Sequence, residues 1–107
     1  MKVRVPKVIE VIIHPYKIMF QPYLKADENF RGYCNVRTQE IRIEPNLPPS
    51  QRTYLLFHEI GEAIKDAYNC GVSHDDLSLM ATGYAEFFTK LGIELDWSLI
   101  KEVNSGS

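Results

Sequence analysis

Apolar and polar residues alternate in two rhythms along this chain, and the rhythm changes near residue 48. Before that point the period is two. Residues 8–13 and 16–20 are rich in β-branched and apolar side chains, and residues 40–44 alternate cleanly, with Ile41 and Ile43 on one face and Glu40, Arg42 and Glu44 on the other. The pattern predicts two hairpins. The first turns at His14-Pro15, because proline cannot donate to a ladder and belongs at a turn or an edge. The second runs from a weakly alternating segment at 32–36, through a turn at Arg37-Thr38-Gln39, into 40–44. Residues 21–30 between the hairpins are polar and charged and read as a loop.

After residue 48 the period becomes helical. Proline suits a first helical turn and serine a cap, so Pro48, Pro49 or Ser50 opens a helix. Its apolar stripe is Leu56, Ile60, Ala63, Ile64 and Ala67, and it stops at Asn69-Cys70-Gly71. Ser73 caps a second helix, with Asp76 at the capping-box position and Asp75 beside it in the positive first turn. Leu77, Met80, Ala81, Tyr84, Phe87, Phe88 and Leu91 form its apolar side, and Gly92 ends it. A last segment from Trp97 to Lys101 reads as a single helical turn. Strands first and helices second imply an α+β domain, a small and mostly antiparallel sheet packed on two main helices. One domain over residues 1–103 and a frayed tail at 104–107 complete the expectation.

Composition narrows the function classes. The chain has 107 residues, enough for one core. A hydrophobic share of 45%, a charged share of 24% and a net charge of −2 are those of an ordinary globular protein. Nothing in that balance calls for nucleic acid or an acidic membrane as a partner. The two cysteines, Cys34 and Cys70, are far apart and in no metal-binding spacing, as expected of reduced thiols in a cytoplasm.

The chemistry lies in the middle of the first helix, in His58-Glu59-Ile60-Gly61-Glu62. Four residues separate His58 from Glu62, so both project from one face, one turn apart. This is the layout of the helix-borne zinc motif HExxH with its second histidine replaced by Glu62. A solvated helix face also carries such runs without a metal, and Lys65 and Asp66 continue the polar side.

From about residue 7 to residue 97 the chain resembles small phage and prophage proteins that carry an ImmA/IrrE-like metallopeptidase domain. The matching residues are Arg42 to Arg52 with their prolines, His58-Glu59-Ile60-Gly61-Glu62-Ala63-Ile64, Asp75-Asp76-Leu77-Ser78, and Ala81-Thr82-Gly83-Tyr84. The resemblance implies a minimal zincin-like fold, a zinc ion and hydrolysis of regulatory proteins. It maps the first ligand to His58 and the general base to Glu59. Glu62 stands where the second ligand is histidine. The acidic third ligand maps to Asp75 or Asp76, and Ser78 lies where some relatives carry that acid.

Carboxylate oxygen is an acceptable zinc donor, so Glu62 is a ligand candidate in its own right. A set of His58, Glu62 and one aspartate would carry two negative charges, which weakens Lewis acidity and favours manganese or magnesium over zinc. Tyr54, Tyr68, Tyr84 and His74 are available as oxyanion stabilisers. Tyr54, Phe57, Tyr84, Phe87, Phe88 and Trp97 keep core spacing. Two functions follow: a metal-dependent hydrolase of a protein or peptide substrate, or a catalytically inactive binding module of the same fold that engages a regulatory protein. Either would work in the cytoplasm, that of the host cell if phage-encoded.

Overall fold

Alternation of branched apolar residues produces the sheet, and its register shows which faces meet. The computed structural model describes residues 1–24 and 31–103. Residues 25–30 of the expected loop and the tail at 104–107 lie outside them. The elements run β1 (Lys2–Arg4), β2 (Val8–Val11), β3 (His14–Phe20), β4 (Gly32–Asn35), β5 (Glu40–Ile43), α1 (Pro49–Ala67), α2 (His74–Lys90) and β6 (Glu94–Asp96). The class is α+β. β2 to β5 form a four-stranded sheet in the order β2-β3-β5-β4, and β1 pairs with β6 in a separate two-stranded sheet. Both expected hairpins are antiparallel, and they join through a parallel pairing of β3 with β5 that sets Ile18 against Ile41 and Phe20 against Ile43. The larger sheet is therefore mixed, and β4 is left at its edge.

The first hairpin turns at Ile12-Ile13 rather than at His14-Pro15. His14 pairs with Val11 and Pro15 with Glu10, while Ile12 takes a φ of 58°. That backbone region is uncomfortable for a β-branched residue. Pro15 is tolerated because β3 meets β5 only from Lys17 onward, so its missing N–H interrupts nothing on that side. The second hairpin turns where expected, over 36–39, with Asn35 Oδ1 accepting from the N–H groups of Arg37 and Thr38 at 3.0 and 3.2 Å. Glu44 leaves the polar face of β5: it is buried, and its carboxylate accepts from the Asn46 N–H at 3.3 Å.

The helices begin and end for local reasons. Pro48 is the N-cap of α1 and makes no side-chain cap bond; the proline-fixed φ at its start stands in for one. At the other end Asn69 adopts a φ of 50°, and the Cys70 N–H donates to the Lys65 carbonyl at 2.9 Å, a Schellman closure made with asparagine instead of glycine. The Ser73 hydroxyl caps α2 by accepting from the Asp76 N–H at 3.1 Å.

The sheet rests on α1 and α2 packs on α1. The core joins Val11, Tyr16, Ile18, Phe20, Ile41 and Ile43 of the sheet to Leu55, Leu56 and Ala63 of α1, with Val5, Trp97 and Ile100 closing one end. Each large apolar side chain so buried contributes on the order of 1.5–3 kcal/mol. The buried face of α1 differs from the expected stripe. Leu55, His58 and Glu59 join Leu56 and Ala63 inside, whereas Ile64 is exposed. The sheet covers the side of the helix that carries the His-Glu pair.

Two further expectations fail. Tyr84 and Phe87 are about half exposed, because α2 turns Leu77, Ala81, Ala85 and Phe88 toward α1 and nothing among the described residues covers the outer side of the helix. The segment after Trp97 is a turn at Ser98-Leu99 and a bridge from Phe20 to Glu102 rather than a helical turn. β1 and β6 were not foreseen at all. Three residues each, they are too short to show a period, and they pair Lys2 with Glu94 and Arg4 with Asp96, opposite charges side by side.

Candidate metal centre

α1 and α2 run back to back, and that places the first turn of α2 beside the third and fourth turns of α1. His58, Glu62 and His74 thereby each bring one ligand atom into a group whose members lie within 4.8 Å of one another. Glu62 Oε1 is 3.9 Å from His58 Nε2 and 3.5 Å from His74 Nδ1, and the two imidazole rings meet edge to face at 4.9 Å. Donors about 2.1 Å from a tetrahedral ion sit about 3.4 Å apart, so the observed separations need only small side-chain adjustments to fit. Glu62 Oε1 is buried and has no hydrogen-bond partner among the described residues. Such an oxygen is costly unless something positive engages it.

His58 is set up as a donor. It is 6% exposed, and burial, followed by neighbouring His74, pushes its pKa below the usual imidazole value against the opposing pull of Glu62. A neutral ring offers a lone pair. Its Nδ1 lies 3.4 Å from Ser78 Oγ. With the proton on Nδ1 and donated to that hydroxyl, Nε2 presents its lone pair toward Glu62.

Glu59 is 5% exposed and lines the same open cleft of about 540 Å³ as His58, Glu62 and His74. Burial, reinforced by the Glu62 charge, pushes its carboxyl up to about 7. A carboxyl titrating near neutrality can both take and return a proton at physiological pH. The opposite wall comes from β4, where Gly32, Tyr33 and Cys34 line the cleft. A Cβ on Gly32 would stand 3.6 Å from Glu59 Oε2 and 3.1 Å from the Arg42 carbonyl, so glycine keeps that wall open. Burial, then Glu59, Glu62 and Asp66, pushes the Cys34 thiol up to about 12. A thiol held that high stays protonated at neutral pH.

The structure brings together two of the four metal-ligand candidates, His58 and Glu62. Asp75 and Asp76 are exposed on the first turn of α2 and do not belong to the group; His74, one residue earlier, takes their place. This grouping changes the electrostatics. His58, Glu62 and His74 carry one negative charge rather than two, and two imidazoles with one carboxylate are a donor set that zinc accepts. Periodicity could not reveal His74, since a histidine at a helix start looks like a surface residue. The short turn of 68–73 after the His-Glu helix was the available signal. Of the oxyanion candidates, Tyr84 stacks on Phe57 at 6.3 Å and Tyr68 is exposed. Tyr54 packs its ring 5.8 Å from that of His58, and none of the three tyrosines lines the cleft.

Among the described residues no helix is long and apolar enough to cross a membrane. No family model, curated protein or solved structure matches the chain.

Proposed function

We propose that the protein is a small metal-dependent peptide hydrolase of the ImmA/IrrE-like kind that its sequence resembles, with zinc held by His58, Glu62 and His74. One observation carries the reading: two imidazoles from different helices converge on a buried carboxylate oxygen that has no other partner among the described residues. A zinc ion bound there would supply Lewis acidity toward a carbonyl group and a water molecule. Glu59, buried beside the group, would hold and move the proton as general base and acid in such a hydrolysis. His58 is held in one tautomer by Ser78.

The cleft also favours an extended substrate. Among the described residues β4 is an edge strand, so its outer N–H and C=O groups have no strand partner there and could pair with a peptide laid along the cleft. A protein or peptide strand, the segment of a regulatory protein among them, suits that edge. We place the protein in the cytoplasm, of the host cell if phage-encoded; the free thiols Cys34 and Cys70 suit a reducing compartment.

Metal analysis of protein purified without chelator tests the reading first. About one zinc per chain is expected, lost in His58→Ala; less than about a tenth of a metal per chain overturns it. Hydrolysis of a peptide library by the zinc-loaded protein, abolished in Glu59→Gln with the metal retained, completes the test. Stoichiometric zinc without hydrolysis would favour the inactive binding module instead.

A further inference from the structure

We infer that α2 carries the interface of a homodimer, in which a second copy of this chain lays its own α2 antiparallel across the stripe Met80, Tyr84, Phe87 and Leu91. These four side chains are all about half exposed, and their spacing of four, three and four residues is that of a helix–helix seam. Ile64 of α1 extends the same apolar surface. Thr82, Glu86 and Thr89 lie around the helix from this stripe, and of the exposed large apolar residues of α2 only Leu79, beside Glu86, stands outside it. Contiguous exposed apolar residues rimmed by polar ones mark a contact surface.

Charge identifies the occupant. Asp75 and Asp76 occupy the first turn of α2, and Lys90 its last. Asp76 and Lys90 are exposed and form no ion pair among the described residues. Both flank the stripe on the side away from α1. An antiparallel crossing centred at Gly83 sets Asp76 opposite the partner's Lys90, twice by symmetry, and brings Met80 within one residue of the partner's Phe87. A parallel arrangement would set like charge against like. The two helix dipoles are also favourably opposed in the antiparallel case.

Gly83 fits the same crossing. Glycine in a helix interior lowers helix propensity, and a Cβ at Gly83 would meet nothing within 4 Å in this chain. It lies three residues after Met80 and four before Phe87, where a missing side chain lets a second helix approach closely.

Sedimentation velocity of the full chain over a concentration series up to about 500 μM reads the association directly. The expected result is a concentration-dependent rise to twice the mass of one chain. Phe87→Glu and, separately, Met80→Glu should sediment as single chains while keeping the helical circular dichroism signal. Leu91→Gln, near the helix end, serves if either of those fails to fold. Lys90→Glu should weaken association about fivefold by setting like charges face to face, and Asp76→Lys added to Lys90→Glu should restore it. A wild-type chain of single mass at every concentration overturns the proposal. So does a dimer that survives Phe87→Glu and Met80→Glu, or a charge reversal that fails to restore association.

Discussion

Leu77 occupies the space that a side chain on Gly61 would fill: a Cβ built at Gly61 comes within 2.5 Å of Leu77 Cδ1. This contact sets how far α2 lies from α1. One residue along α1 is Glu62, facing His74; one turn back is His58, facing Ser78. Gly61→Leu should therefore damage both fold and site, lowering stability by about 1–3 kcal/mol through overpacking and weakening zinc binding at least about tenfold. Gly61→Ala should be milder, since the end of the Leu77 side chain can swing aside. Denaturant unfolding and zinc titration of the two variants measure this. Unchanged zinc affinity in a folded Gly61→Leu protein would detach the site from the helix spacing.

The third ligand separates His74 from the aspartates. His74→Ala should lower zinc affinity about a hundredfold or more, while Asp75→Asn should leave it within about threefold. Competition against a chromophoric chelator gives both values. Equal losses in the two variants would return the third ligand to the acidic pair.

Ser78→Ala tests the orientation of His58. Removing the hydroxyl 3.4 Å from Nδ1 frees the ring to change tautomer and rotate. The expected loss of zinc affinity is about tenfold, recovered by Ser78→Thr. An unaffected alanine variant would show that packing alone orients the ring.

Glu59 makes the metal-free protein sensitive to pH. Burial, then the Glu62 charge, pushes its folded-state carboxyl up to about 7 from the ordinary 4.5. The folded state therefore holds that proton more tightly than the unfolded chain does. This group's contribution to stability is complete below about pH 4.5 and is lost as pH rises through 7. Glu59→Gln should match wild type near pH 4 and exceed it by up to about 3 kcal/mol at pH 8. Thermal or urea unfolding of both chelator-treated proteins across that range is the measurement. A difference that stays constant with pH would contradict the burial of an ionisable group at this position.

Much of the architecture follows from rules that act over a few residues. The ends of both helices lie where Pro49, Asn69 and Ser73 place them, because caps and left-handed closures are local geometry. The second hairpin is equally legible, since Ile41 and Ile43 alternate with charge and Asn35 closes its own turn. The first hairpin turns before His14-Pro15 because Ile12 accepts a strained φ that local rules disfavour. The strands at Lys2–Arg4 and Glu94–Asp96 leave no local signal because each finds its ladder partner in the other, across some 90 residues of chain.

The amino-acid sequence by itself determined that His58 and Glu62 share a helical face with Glu59 beside them, for a helix repeats every 3.6 residues wherever it lies. Only the tertiary structure decided that this face turns inward beneath the sheet, and that His74 rather than an aspartate meets it. Those outcomes depend on which surfaces of separate elements fit together, on Leu77 seated over Gly61 and β4 set across from Glu59. Periodicity reports which residues of one element travel together; it carries no information about the element they will meet.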